Sequence, residues 1–351
     1  VLPLTSPTVI HRTTAGNITL NDAQDYVVLV HGLIQQTSGT TNVLGITGGR
    51  RVWVLGVDGA RLRDGRDGKE SQTNILVWQN GIEGMFIDSI HFDAIDAMNV
   101  DSLVPRGYAP YGTSRSNWRY PDVWVQNFRF DGAKWSGGDP HPDNIQKQTA
   151  LGNVRLFNGT MSFRYQSILC CAQSFSLRQF ITSGPQEQWI EGLRSGGPGY
   201  ASTTPGELRF EKTNTYRTTG VYTGPAYWLG HNTSAGWSGF PGENPFPVRF
   251  IGQENYVKGG GVHSADTVFG GGGLVYPTGI EYVPGSRSYG GGYLVNSVAG
   301  SDALGPYVTW VPAAQIEGLL RFGDPPDGDH VPLTGEKSLE DYTSPFALPY
   351  L

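Results

Sequence analysis

Apolar residues along this chain recur at offsets 0, 2, 5 and 7. Val123, Val125, Phe128 and Phe130 have this spacing, and so do Met85, Ile87, Ile90 and Phe92. Residues two apart point to one face of a strand, so the pattern describes two short strand segments with an extra residue, a bend, between them. The same offsets fit Val27/Leu29/Gly32/Ile34, Val52/Val54/Val57, Ile75/Val77/Asn80/Ile82, Val154/Leu156 and Phe175/Leu177/Phe180. The position near the bend is small or polar (Gly56, Ser89, Asn127, Asn158, Gln179), as suits a turn where side chains stack in ladders.

The distances between these segments predict the architecture. Segments starting at 27, 52 and 75 are 25 and 23 residues apart, and those at 123 and 145 are 22 apart; the steps from 75 to 85 and from 145 to 154 are 10 and 9. A period near 22 with a half-step near 10 predicts a coil of two or three short strands that returns above its own start. Such a coil buries its apolar side by stacking on its neighbours. A β-sandwich has no reason to keep that rise in sequence. The expected fold is all-β: a right-handed parallel β-helix (solenoid) over residues 1–217. After it, residues 218–351 are rich in Gly, Tyr and Trp and are expected to form an irregular β region that caps the stack, meets another subunit, or both. Trp189/Glu191/Leu193 and Leu208/Phe210 read as further coils, and the apolar tail SPFALPYL is expected to dock. The step from 85 to 123 is 38 residues, and its excess is assigned to an inserted loop at 97–120.

Composition narrows the picture. Gly 50 and Pro 23 punctuate the chain, and only short helical turns are expected, near Pro312–Leu320. A formal charge of −6 argues against nucleic acid, and no run of about 18 apolar residues calls for a membrane span. Cys170 and Cys171 are adjacent, where a disulfide is strained, and read as small apolar residues. The start VLPL has neither a basic nor an apolar leader region, so a processed leader or release by lysis is expected for an outside location. The triplets at Asn17, Asn158 and Asn232 are ordinary for an Asn/Thr-rich β protein.

Candidate chemistry gathers at Asp139-Pro-His141-Pro-Asp143-Asn-Ile-Gln146-Lys147. Elimination on a uronate needs a group to neutralise the carboxylate and a base for the C5 proton, and Asp139, His141, Asp143 and Lys147 are residue types that supply them. The loop contributes Arg106, Arg115, Trp118 and Arg119 as gripping residues, with Tyr108, Tyr111 and Tyr120 beside them. Trp124 and Gln126 alternate with core valines, and Arg129 or Lys134 lies nearby; Trp53 and Trp78 are expected in equivalent outward slots, where indoles offer apolar faces to sugar rings. The same features also fit a capped turn, a packed lid and a subunit contact. His31 and His91 read as structural. Asp64-Gly-Arg-Asp67-Gly and Asp324-Pro-Pro-Asp327-Gly-Asp329-His330 hold oxygen ligands suited to Ca²⁺, although solvated turns are the simpler reading; no cofactor and no dedicated metal site are expected.

The coil pattern resembles the pectin-lyase-like β-helix family of polysaccharide lyases, glycosidases, uronate epimerases and phage tailspikes, in which substrate lies along one parallel sheet. Asp139-Pro-His141 is similar to a motif of alginate epimerases and related lyases; the resemblance makes Asp139 the carboxylate neutraliser and His141 the proton-transfer residue. Where that family has a tyrosine, this chain has Ser136-Gly-Gly. Polygalacturonase signatures are absent. The expected function is therefore a virion-associated β-helix spike, homotrimeric, that binds and in some forms depolymerises host surface polysaccharide alongside other virion proteins. The alternatives are a secreted polysaccharide lyase or uronate epimerase acting on an acidic glycan, and a decoration protein without a sugar partner. The location expected is the virion or the extracellular space.

Overall fold

A computed structural model describes residues 3–39, 42–66, 74–108, 119, 121–134, 142–146, 154–163, 166–169 and 342–351, and between 206 and 311 the strand backbones alone. The chain opens with β1 (Thr8–Arg12), β2 (Gly16–Thr19), β3 (Asp25–Gln36) and β4 (Leu44–Thr47). Then come β5 (Arg51–Asp64), β6 (Leu76–Gly81), the short pair β7 (Gly84–Asp88) and β8 (His91–Asp93), and β9 (Leu103–Gly107). β10 (Asp122–Asp131), β11 (Asp143–Gln146), β12 (Val154–Phe163) and β13 (Gln166–Leu169) follow. Further strands are β14 (Gly206–Arg217), β15 (Tyr227–Trp228), β16 (Val248–Gln253), β17 (Asn255–Lys258), β18 (Phe269–Gly270), β19 (Gly292–Ser297) and β20 (Pro306–Val311).

These strands form two sheets whose order follows the chain. Sheet A runs β1-β3-β5-β7-β10-β12-β14-β17-β19-β20, with β8 between β5 and β10 and β16 beside β14; sheet B runs β2-β4-β6-β9-β11-β13-β15-β18. Every pairing is parallel except the last two in sheet A, β17–β19 and β19–β20. The chain visits A and B in turn and comes back one rung higher each time, so the protein is a β-solenoid, a parallel β-helix. The parallel stack continues to Gly270. Among the described residues no helix is long and apolar enough to cross a membrane.

Register explains the core. Tyr26, Val52, Met85, Val123 and Val154 stand above one another, as do Val28, Val54, Ile87, Val125 and Leu156. Ile34, Leu62, Phe92, Phe130 and Met161 form a third inward column. Phe92 and Phe130 stack with centroids 4.4 Å apart and planes 8° from parallel. Phe128 fills the space beside them, and Gly159 is the residue across from it: a Cβ there would come within 2.6 Å of the Phe128 ring. Leu44, Ile46, Leu76, Trp78, Leu103 and Ile145 close the core from sheet B.

The bend expected between segments lies in sheet A, where Gly32, Asp58, Ser89 and Asn127 have φ of 53°, 50°, 62° and 48°. Left-handed backbone costs an L-residue about 1–2 kcal/mol, least for Asn, Asp and Gly, which is why polar and small residues recur there. Asp88 anchors two of these bends, accepting from Ser89 Oγ at 2.8 Å and from Asn127 Nδ2 at 2.8 Å.

Three readings of the sequence need correction. The coil is not about 22 residues long: Val52, Met85, Val123 and Val154 are 33, 38 and 31 apart, because one long step and one short step together make a turn. The first coil is read one residue off. Val28 and Val30 face the core, while Val27 and Leu29 belong to a second apolar cluster on the outside of sheet A. Both faces of β3 are covered there, so hydrophobicity stops alternating and the register signal vanishes. Trp78 points inward and is fully buried, its Nε1 donating to the Gly48 carbonyl at 3.0 Å. Ile75, just before β6, is in the core as expected, but within the strand the inward residues are Leu76 and Trp78, and Gly81 leaves room for the indole. In addition, the segment assigned to an inserted loop holds β9, a regular rung of sheet B, and the isolated bridge Met98–Lys134. Phe175/Leu177/Phe180, Cys170, Cys171, Trp189/Glu191/Leu193 and Pro312–Leu320 lie outside the described residues.

Trp78→Ala should therefore cost about 3–5 kcal/mol, as loss of a buried aromatic does. Gly159→Ala should cost about 1–3 kcal/mol through overpacking against Phe128. Thermal unfolding followed by circular dichroism checks both, and a Trp78→Ala midpoint equal to wild type would contradict the inward placement.

Candidate functional site

Parallel register aligns outward side chains as strictly as inward ones. Val27, Trp53, Phe86, Trp124 and Arg155 occupy one outward column of sheet A. Where this column leaves the first coils, a cleft of about 220 Å³ opens, lined by Arg51, Trp53, Phe86, Asp122, Trp124 and Arg155 with Gly84 and Met85 at its floor. Trp124 is held in orientation from two sides. Its Nε1 donates to Gln126 Oε1 at 3.2 Å, and the Arg155 guanidinium carbon lies 5.8 Å from the ring centroid. Arg155 in turn reaches Asp122 Oδ2 at 3.5 Å, and Arg51 Nε donates to Glu83 Oε2 at 2.6 Å. Trp53 and Phe86 meet edge to face at 5.3 Å. The cleft thus offers the partly exposed indoles of Trp53 and Trp124, with Phe86 buried between them, flanked by charges already held in place.

Past the bend, the same outer face changes character. Arg61, His91 and Arg129 form one column, and Arg63, Asp93 and Asp131 the next. Arg61 donates to Asp93 through Nε at 2.8 Å and through Nη2, Arg129 Nε to Asp131 Oδ1 at 3.1 Å, and His91 Nε2 lies 2.7 Å from Asp131 Oδ2. Burial pushes the Asp131 carboxyl up, but His91 and Arg129 outweigh it and hold its pKa below the ordinary aspartate value. His91, Asp93 and Asp131 place ligand atoms within 4.8 Å of one another, a spacing that suits a metal ion. Arg61, Arg63 and Arg129 already neutralise those carboxylates, so an incoming cation would face three positive charges. This is an ion-pair ladder.

A second ladder edges sheet B and was missed in the sequence. Asn74 N–H donates to Asn42 Oδ1 at 3.0 Å, Asp101 N–H to Asn74 Oδ1 at 3.3 Å, and Asp143 N–H to Asp101 Oδ1 at 3.0 Å. Each rung ties its backbone to the side chain of the rung before. The signal was present: each of these residues stands two before an inward Leu or Ile, in Asn42-Val-Leu44, Asn74-Ile-Leu76, Asp101-Ser-Leu103 and Asp143-Asn-Ile145.

The sequence candidates are consequently divided between two faces. Trp124, Gln126 and Arg129 lie along β10 on the outside of sheet A, Arg129 engaged with Asp131. Arg106 and Gln146 belong to sheet B, where alternation from Leu103 and Ile145 turns both outward. Burial lowers the Arg106 pKa, with Asp101 opposing. Asp143 is buried as a rung of the ladder. Arg119 is exposed, its N–H donating to the Tyr108 carbonyl at 2.8 Å. Asp139, His141, Lys147, Arg115 and Trp118 lie outside the described residues, as do Asp67 and the 324–330 turn.

Fold and site together define a parallel β-solenoid with an aromatic, charge-flanked cleft on one sheet. No protein-family model, curated protein or solved structure matches the chain.

The Asp131 shift carries a pH signature. Because the folded pKa is depressed, its stabilisation is complete above the unfolded value of about 3.9 and is lost as pH falls through the folded value. Asp131→Ala, which strands Arg129 and His91, should cost about 3 kcal/mol at neutral pH and flatten the loss of stability below about pH 4. Thermal midpoints from pH 2 to 7 (roughly the range of these titrations) check the sign, and an unchanged acid slope would contradict it.

Proposed function

We propose that this chain is a glycan-binding β-helix protein of the pectin-lyase-like type, a spike that grips host surface polysaccharide. The observation that supports this reading best is the pair of partly exposed indoles Trp53 and Trp124, on one outward column with the buried Phe86 between them, beside Arg51, Asp122 and Arg155. Sugar rings present apolar faces that rest on indoles, and their hydroxyls and carboxylates take up fixed charges at the rim. Two rungs of about 4.8 Å separate Trp53 from Trp124, so the platform runs along the stack in the direction an extended polymer would take. A virion setting and a homotrimer are the assembly that accompanies this reading.

Binding is favoured over cleavage. Among the described residues, the cleft lining holds no His and one carboxylate, Asp122, beside Arg155. Asp143 is buried, and its N–H donates to Asp101 Oδ1. A lyase or epimerase reading rests on Asp139 and His141.

Retention on a panel of immobilised acidic and neutral surface polysaccharides tests the proposal. Trp124→Ala should weaken binding at least tenfold, an expected loss of about 1.4 kcal/mol or more, while Tm stays near wild type because the ring is outward. Failure of the wild-type chain to bind any polysaccharide, or full binding by Trp124→Ala, would overturn it. Release of unsaturated sugar ends by wild type and their loss in His141→Ala would shift the reading to a lyase.

A further inference from the structure

The last ten residues lie on the outside of the first coils, across a gap of 285 residues from the backbone they bond. Gly59 N–H donates to the Tyr342 carbonyl at 3.0 Å and Ser344 N–H to the Gly56 carbonyl at 2.8 Å. Thr343 Oγ1 accepts from Asp58 N–H at 3.0 Å and reaches Asp58 Oδ1 at 3.3 Å. Phe346 stands edge-on to Trp53 and Phe86, at 6.0 and 5.2 Å. Ala347 is fully buried among Val27, Leu29, Leu55, Val57 and Phe86. This is how a groove takes a peptide: main-chain hydrogen bonds for affinity, and a pocket that admits one small side chain for specificity. Pro345 and Pro349 flank the anchor and restrict the free segment, which lowers the cost of ordering it on docking.

We propose that the outer face of β3 and β5 is a peptide-acceptor groove, specific for an apolar Ser-Pro-Phe-Ala segment, which the chain fills with its own residues 342–351 as an exchangeable clasp. The small pocket at Ala347 sets the specificity, and the Trp53–Phe86 pair grips Phe346. The proposal does not rest on the glycan reading, although Trp53 and Phe86 border both sites.

The test uses the full-length chain and a fluorescent peptide of the sequence YTSPFALPYL, with binding read by polarisation. In Ala347→Glu a buried methyl becomes a carboxylate, so the chain's own segment should leave the groove. That variant should bind the peptide at least tenfold more tightly than the wild-type chain, one peptide per chain, and a peptide carrying the same Ala347→Glu change should not bind. Phe346→Ala, which keeps the pocket and the backbone bonds, should give an intermediate affinity. In the wild-type chain the amides of Asp58, Gly59 and Ser344 should exchange slowly and become faster in Phe346→Ala. A folded Ala347→Glu chain that binds no better than wild type, equal binding of both peptides, or fast exchange at those amides in wild type would overturn the proposal. So would a wild-type mass of two chains that falls to one in Ala347→Glu, which would seat the segment on a second copy.

Discussion

Vertical register is the constraint on which the rest of this molecule depends. In a parallel stack each residue has its counterpart about 4.8 Å above and below it, so every position becomes a column. Inward columns must be apolar throughout, and Tyr26–Val52–Met85–Val123–Val154 is. Volume is balanced between rungs as well as within them, with Gly159 set against Phe128. The same geometry sets outward residues of successive rungs one above another, so a binding face on such a protein is a line along the stack.

Polar groups obey this rule too. A column of like charges would repel along its whole length, and the two polar ladders avoid that in different ways. Past the bend in sheet A, arginines in one column reach carboxylates in the next, and Asp131 is shared by His91 and Arg129. At the edge of sheet B, Asn42, Asn74 and Asp101 use their side-chain oxygens to accept the N–H of the following rung. The second ladder satisfies backbone donors at the corner, where the sheets' own hydrogen bonds run out. Asp143 joins that ladder through its backbone N–H, beneath Asp101.

The outside of sheet A divides into three zones with different solvents. Over the first coils the C-terminal segment covers it, Ala347 and Ser344 being fully buried there. Further along, Trp124 and Arg155 border an open cleft. Beyond the bend, partly exposed arginines cover the buried carboxylates of Asp93 and Asp131. Trp53 and Phe86 belong to two zones at once, touching Phe346 on one side and the cleft on the other. Ligand platform and clasp therefore share a wall.

The sequence by itself determined the class of fold. Offsets such as Met85/Ile87/Ile90/Phe92 and Val123/Val125/Phe128/Phe130 record a bend between two inward-facing pairs, and local sterics suffice to place Ser89 and Asn127 there. It also marked Trp124 as outward and the tail as docked. The tertiary structure alone decided which column each residue joins. Val27 and Val28 are equally apolar, and only the segment laid over β3 from 285 or more residues away distinguishes outside from inside. Trp78 carries the same letter as Trp53 and faces the opposite way, because sheet B's register is fixed by contacts with Gly48 and its neighbours on other rungs. Periodicity along one strand reports on alternation, whereas the partner of each face is set by rungs about 30 residues distant, a separation that no local pattern encodes.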